Sequence, residues 1–158
     1  MKILFVCTGN SCRSVMAAAY LEKRLKDLGK EGITVASAGI APFPGMKATK
    51  EAQQVLKAEG VDISSHAAKK ITDVAIREAD LIFVMEDVQR RYLLSRDPQT
   101  AKKTYLLKDF KKIGHPDVSD NSDIADPIGK NIDFYKKTFA VIKEAIEKII
   151  EEIDGKKD

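Results

Sequence analysis

The sequence predicts an α/β fold of three layers, a four-stranded parallel sheet with helices on both faces, and three observations predict it. Short apolar runs rich in strand formers alternate with helical patterns along the whole chain. The first run, Lys2–Cys7, lacks polar alternation, the mark of a strand buried on both faces. Helical segments lie between successive strands, as the crossovers of a parallel sheet require.

Each element has its own signal. After the Lys2–Cys7 strand, Arg13–Leu28 carries Val15, Met16, Ala19, Tyr20, Leu25 and Leu28 at helical spacing, and Gly29 stops it. Ile33–Ser37 reads as a second strand ended by Ala38-Gly39. Two prolines and a glycine make Ala41-Pro42-Phe43-Pro44-Gly45 a loop. Lys47–Glu59 is helical up to Gly60, and Thr72 caps a short helix over Asp73–Glu78. Leu81–Met85 is a third buried strand, Asp87–Arg96 a helix halted before Pro98, and Thr104–Leu107 a short fourth strand. The long polar stretch His115–Asn131 is of the kind that, when ordered, serves function. Ile132–Ile153 closes the chain as an amphipathic helix with Phe139, Ile142, Ile146, Ile149 and Ile150 inward. One domain is expected over residues 1–154, with 155–158 a frayed tail.

Composition excludes several classes. The formal net charge of +3 comes from interleaved lysines and acids rather than a basic stripe, so nucleic acid is not an expected partner. The first apolar run ends at Cys7, too soon for a secretory core, and no stretch approaches the ~20 apolar residues of a membrane span. A cytoplasmic monomer is expected, without membrane contact. Two cysteines in that compartment make no disulfide framework, and with His66 and His115 far away they make no zinc site, so no metal or cofactor is expected.

In open α/β sheets ligands bind beyond the carboxyl ends of the strands, and the first such end is Cys7. The segment Cys7-Thr8-Gly9-Asn10-Ser11-Cys12-Arg13-Ser14 joins this strand directly to a helix. Its backbone N–H groups can turn inward as an anion-binding nest, and the helix adds the positive end of its dipole. Gly9 and Asn10 tolerate the left-handed backbone such a nest needs. Arg13 can close on the same anion through paired hydrogen bonds. A cysteine there ionises easily, since helix N-termini and cations lower a thiol from about 8.5 to roughly 3.5–7.5. Cys7 would then be a nucleophile and form a covalent phosphocysteine. A buried cysteine after a strand is otherwise only a small apolar residue. Cys, five residues and Arg-Ser between strand and helix is the rarer pattern.

Cys7–Ser14 resembles the Cys-x5-Arg-Ser signature of the low-molecular-weight protein tyrosine phosphatases. The likeness extends over Ser37-Ala38-Gly39, the segment from His66 to Ile71-Thr72, and Asp126-Pro127. It implies a four-stranded parallel sheet and hydrolysis of a phosphorylated protein. It also implies a phosphate loop of Thr8, Gly9, Asn10, Ser11, Cys12, Arg13 and Ser14.

A leaving phenolate oxygen needs a proton from a positioned acid. Of the two Asp-Pro pairs, Asp97-Pro98 comes after a helix and reads as its stop, whereas Asp126-Pro127 lies in the polar loop and matches the family's acid; Asp123 and Asp120 stand behind it. The resemblance further implies a brace for the loop from Asn10, Ser14, Ser37 and His66. The plainer readings are that Ser37 ends a strand and His66 lies on the surface. Cys12 corresponds to a redox partner that protects the nucleophile, or else simply packs under the loop.

The chain departs from the pattern at three places. Ile128 stands where tyrosine-directed members carry an aromatic wall, leaving Phe43 as an alternative wall or as a pin for its own loop. Val15 replaces a first-turn proline. Ser11 replaces a larger aliphatic residue, where arginine-directed members of the same fold carry Thr. The passage Asp126–Tyr135 also resembles that arginine-directed group, which makes protein-arginine phosphatase the nearest rival. Arsenate reductase shares the loop string but relays oxidation through later cysteines, and none occur after Cys12. A binding module using the cradle alone would leave Cys7 and Asp126 without purpose.

Overall fold

The computed structural model describes residues 1–116 and 122–155. Four strands, β1 (Lys2–Cys7), β2 (Thr34–Gly39), β3 (Leu81–Val84) and β4 (Thr104–Leu106), form one parallel sheet in the order β2-β1-β3-β4. Helices α1 (Arg13–Asp27), α2 (Lys50–Ala58), α3 (Asp73–Glu78), α4 (Asp87–Arg96) and α5 (Ile132–Gly155) connect and cover the strands.

β1 lies between two partners, which is why its sequence shows no polar alternation. Its side chains still divide by the period of two. Ile3, Phe5 and Cys7 enter the larger core with Met16 and Leu21 of α1, Leu56 of α2, and Ile142, Ile146 and Ile149 of α5. Leu4 and Val6 enter the smaller core with Ile76 of α3, Leu93 of α4, and Ile82, Val84 and Leu106. Fully burying such an aliphatic side chain stabilises by roughly 1.5–3 kcal/mol, so both faces of the strand contribute. Aromatic rings tie the sheet to the larger core, with Phe5 and Phe83 stacked at 5.5 Å and Phe110 edge-on to Phe83 at 5.1 Å.

Several boundaries differ from the sequence pattern. β2 runs through Gly39 because its pairing with β1 continues to Cys7↔Gly39, so Ala38-Gly39 belongs to the strand. α2 begins at Lys50: Ala48 and Thr49 precede the helix, and the Thr49 hydroxyl caps it by accepting from Ala52 N at 3.3 Å. β3 ends at Val84 and β4 at Leu106, each one residue early. Asp97 stops α4 and its carboxylate caps the short 3-10 helix Pro98–Lys103 by accepting from Gln99 N. Gly155, expected in a frayed tail, is the last residue of α5; the buried Ile150 and Ile153 hold the final turns. Among the described residues no helix is long and apolar enough to cross a membrane.

The topology places the carboxyl ends of β1, β2 and β3 side by side. Cys7, Gly39 and Val84 end these strands, and the segments leaving them meet at one edge of the sheet.

Candidate active site

The site begins where β1 turns into α1. Cys7 is buried, and its Sγ lies 2.9 Å from Ser14 Oγ and accepts from Asn10 N at 3.2 Å. α1 starts directly after Cys12, with no side chain capping it and no acid in its first turn. The positive end of its dipole is therefore not neutralised locally, as an anion site requires.

Asn10 holds the loop's shape. It is the only non-glycine residue of positive φ among those described, at 50°, and it is fully buried. Its Nδ2 donates to Ser14 Oγ at 2.9 Å and to Ser37 Oγ at 3.0 Å, while its Oδ1 accepts from Lys69 N at 3.1 Å. Its carbonyl lies 2.7 Å from His66 Nε2. Asn10, Ser14, Ser37 and His66 thus form one connected network around Cys7. His66 is half-buried rather than a free surface residue, and Ser37 does more than end a strand. Gly9, by contrast, does not take a left-handed backbone, so only Asn10 fills that role.

A second constraint comes from Gly39. A Cβ there would stand 2.6 Å from Thr8 O and 3.1 Å from both Asn10 N and Asn10 Cβ. β2 and the loop approach too closely for any side chain. Ile40 N and Ala41 N then donate to Cys7 O and Thr8 O, each at 3.0 Å. On the other flank Thr49 N donates to Ser11 O at 3.0 Å, and Ser11 and Cys12 are both buried.

Arg13 is almost wholly buried, and protein groups take one end of its guanidinium. Nη1 donates to Glu86 Oε2 and to the Ile124 carbonyl, both at 2.7 Å. Nη2 lies 3.5 Å from Asp126 Oδ2, and the buried Nε has no hydrogen-bond partner. A buried donor left over is a donor awaiting an acceptor. Burial opposes the Arg13 charge, but the Glu86 hydrogen bond and the attraction of Cys7, Glu86 and Asp126 outweigh it, and the net shift is upward. The guanidinium is a permanent cation here.

Asp126 is exposed and stands above this group. Its Oδ1 accepts from Ile128 N at 3.1 Å, a turn closed around Pro127, and also faces Cys12 Sγ at 3.9 Å. Cys12 is pushed up to about 12, by burial first and then by Cys7 and Asp126, against the pull of Arg13. It is a neutral thiol at physiological pH, and both cysteines are free. Among the described residues no group of three or more His, Cys, Asp or Glu side chains is placed to hold a metal.

The remaining candidates fall elsewhere. Asp123 Oδ1 accepts from Asp87 N at 2.8 Å and so serves the start of α4; Asp120 lies outside the described residues. Phe43 is 80% exposed and pins nothing. Its loop is held instead through backbone bonds from Ala41 N to Thr8 O and from Gly45 N to Ala68 O. Ile128 is half exposed beside Asp126.

Sequence reasoning missed Glu86, Gln89 and Gly39. Glu86 anchors Arg13, and Gln89 Nε2 donates to Thr8 Oγ1 at 3.1 Å. A signal existed: Glu86-x-x-Gln89 opens a helix directly after a buried strand, the pattern of a capping box at a strand's carboxyl end.

Comparison with known proteins agrees with this geometry. The family model described as "Low molecular weight phosphotyrosine protein phosphatase" matches residues 2–158. A probable low molecular weight protein-tyrosine-phosphatase, EpsP of Ralstonia nicotianae, is 36% identical over 153 residues, covering 97% of this chain and 91% of that one. The crystal structure of the low molecular weight protein tyrosine phosphatase from T. tengcongensis matches with a TM-score of 0.85 and 39% identity over 96% of this chain and 98% of that one. A YwlE arginine phosphatase, in a mutant form with a phosphorylated active-site serine, matches with a TM-score of 0.85 and 30% identity over 100% and 97%. Fold, phosphate loop and full-length similarity together make this chain a member of the low-molecular-weight phosphotyrosine protein phosphatase family, a family of hydrolases.

Proposed function

We propose that the chain removes phosphate from phosphotyrosine in proteins through a cysteinyl-phosphate intermediate. The observation that carries this reading is the meeting of Cys7 Sγ, the uncapped start of α1 and the unpartnered Nε of Arg13 around one loop.

In the first step the Cys7 thiolate attacks phosphorus and the bond to the tyrosine oxygen breaks. Arg13 and the loop from Thr8 to Ser14 hold the three equatorial oxygens, where charge spreads in the transition state. Asp126, protonated, gives its proton to the departing oxygen. In the second step Asp126, now ionised, takes a proton from water as that water attacks the phosphocysteine. Phosphate leaves and the Cys7 thiolate returns. Ser14 Oγ, 2.9 Å from Sγ, supports the thiolate in both steps by donating a hydrogen bond. Ser37 and His66 act through Asn10, by fixing the loop. The similarity to an arginine phosphatase with a phosphorylated active-site serine supports a covalent route, since a phosphoryl group there sits on the residue itself. Two free cysteines fit a reducing cytoplasm.

A second reading, protein-arginine phosphatase, is favoured by that same similarity, by the small hydroxyl residue Ser11, and by Ile128, which stands where tyrosine-directed members carry an aromatic wall. Matched phosphotyrosine and phosphoarginine peptides, offered to wild type and Cys7→Ser, decide between them. Tyrosine-directed release that vanishes in Cys7→Ser supports the first reading. A strong phosphoarginine preference moves the chain to the second with the mechanism intact. No Cys7-dependent release from either overturns both.

A further inference from the structure

We propose that Gln89 is a positioning residue for catalysis, keeping the phosphate loop and the Arg13 guanidinium in register. Its side chain is fully buried in the first turn of α4. Oε1 accepts from Met85 N at 3.0 Å and from Glu86 N at 2.7 Å. Nε2 donates to Thr8 Oγ1 at 3.1 Å and to Glu86 Oε2 at 3.0 Å. All four hydrogen-bonding positions of the amide are filled, which fixes the amide's orientation.

The two halves of this amide do different work. The oxygen closes the bend between β3 and α4, and a helix cap needs nothing more. The nitrogen reaches both parts of the phosphate site. Through Thr8 it touches the first residue after Cys7. Through Glu86 Oε2 it touches the atom that accepts from Arg13 Nη1 at 2.7 Å. Loop and guanidinium belong to one continuous segment, yet the long Arg13 side chain has its own rotamers. A rigid amide bonded to both sides removes that freedom before substrate arrives, and preorganised donors are the ones that stabilise a transition state.

This rests on the phosphatase reading, so the test pairs turnover with a binding measurement that needs no turnover. Gln89→Met, Thr8→Val, their double variant and Thr8→Ser are compared with wild type. Readouts are kcat and KM for p-nitrophenyl phosphate, calorimetric affinity for inorganic phosphate, and Tm. Each single loss of the Gln89–Thr8 bond should lower phosphate affinity and kcat/KM by about 5- to 10-fold, the worth of one buried hydrogen bond. The double variant should fall little below the worse single one, because both remove the Gln89–Thr8 bond, and Thr8→Ser, which keeps the hydroxyl, should recover most of what Thr8→Val loses. Losses that multiply in the double variant overturn the proposal, as does a Gln89→Met protein that melts lower yet keeps kcat, KM and phosphate affinity within twofold. Should Gln89→Met fail to fold, Gln89→Glu retains the capping oxygens and lacks the donors; unchanged phosphate affinity in it overturns the proposal equally. Phosphate binding without turnover in wild type would sink the phosphatase reading alone, with the affinity comparison still deciding Gln89. A wild type that binds no phosphate overturns this proposal too.

Discussion

Gly39→Ala is the smallest change that should disturb the site without touching a group that does chemistry. The added Cβ would lie 2.6 Å from Thr8 O, and both the strand and the loop are backbone at that point. No flexible side chain can yield, so β2 must retreat or the loop must move. The loop is the softer of the two, because β2 is held along six paired residues of β1. Overpacking of this kind costs about 1–3 kcal/mol. Gly39 does not have positive φ, so alanine adds no backbone strain there, and the smaller entropy of its unfolded chain returns about 0.4–1 kcal/mol. A net destabilisation of about 1–2 kcal/mol is expected.

Activity should suffer more than stability. Asn10 N, 3.1 Å from that added Cβ, donates to Cys7 Sγ at 3.2 Å. Displacing reacting groups by about 1 Å can cost on the order of 100-fold in rate. Thermal denaturation and kcat/KM on a phosphotyrosine peptide measure the two effects. Gly9→Ala is the control, since its Cβ would meet only Ser11 Oγ, at an ordinary 3.6 Å. It should melt near wild type. A Gly39→Ala protein with unchanged Tm and unchanged kcat/KM refutes the argument, as does a Gly9→Ala protein destabilised as much as Gly39→Ala.

The same geometry sets three further outcomes. Asp126→Asn should lower kcat on a phosphotyrosine peptide by about 100- to 10,000-fold, and by much less on p-nitrophenyl phosphate, whose leaving group needs no proton; equal losses on both would remove Asp126 as the acid. Asn10→Ala should cost roughly 2–4 kcal/mol in denaturant unfolding, because it leaves Lys69 N without its side-chain acceptor and puts a Cβ residue without a local polar partner at φ 50°; a loss within 0.5 kcal/mol, about the scatter of surface substitutions, contradicts the brace. Cys12 titrates near 12 in the folded protein and near about 8.5 unfolded, so the folded state holds its proton more tightly. Its contribution is complete below the lower value and is lost as pH rises through the interval. Stability of wild type should therefore fall between about pH 8.5 and 12 more steeply than that of Cys12→Ala, and parallel pH profiles of Tm would contradict this.

What the sequence made legible was whatever depends on local pattern. Strand and helix alternation, Gly29 and Gly60 past helix ends, and Cys-x5-Arg-Ser between strand and helix are all short-range signals, and the sheet and loop are where they point. Long-range contacts were not legible. Gly39 reads as a stop signal because glycine usually marks a turn. Its actual reason is the carbonyl of Thr8, far away in sequence and 2.6 Å from where a Cβ would be. Glu86 and Gln89 read as an ordinary helix start, and only the parallel pairing of β1 with β3 brings them against Arg13 and Thr8. Gly9 and Asn10 suit the same left-handed role by residue type, and the backbone assigns it to Asn10 alone.

The same geometry explains why mechanism is more accessible than substrate. Arg13 offers Nε and Nη2 on the edge away from Glu86, and the loop offers backbone donors; a phosphoryl group meets these with its equatorial oxygens whatever it is attached to. A cradle of this kind meets the phosphoryl oxygens rather than the leaving atom, so it does not by itself separate phosphotyrosine from phosphoarginine. Arg13 Nη2 lies 3.5 Å from Asp126 Oδ2, and Ile128 N holds Asp126 Oδ1 at 3.1 Å, so the acid is placed by its own turn rather than by the phosphate cradle. Discrimination must then come from what surrounds the leaving group. Ile128 presents exposed apolar surface beside Asp126, and Ser11 is buried in the loop itself. The match between Asp126 and the leaving atom, oxygen or nitrogen, is then the filter that the chain's own acid chemistry supplies.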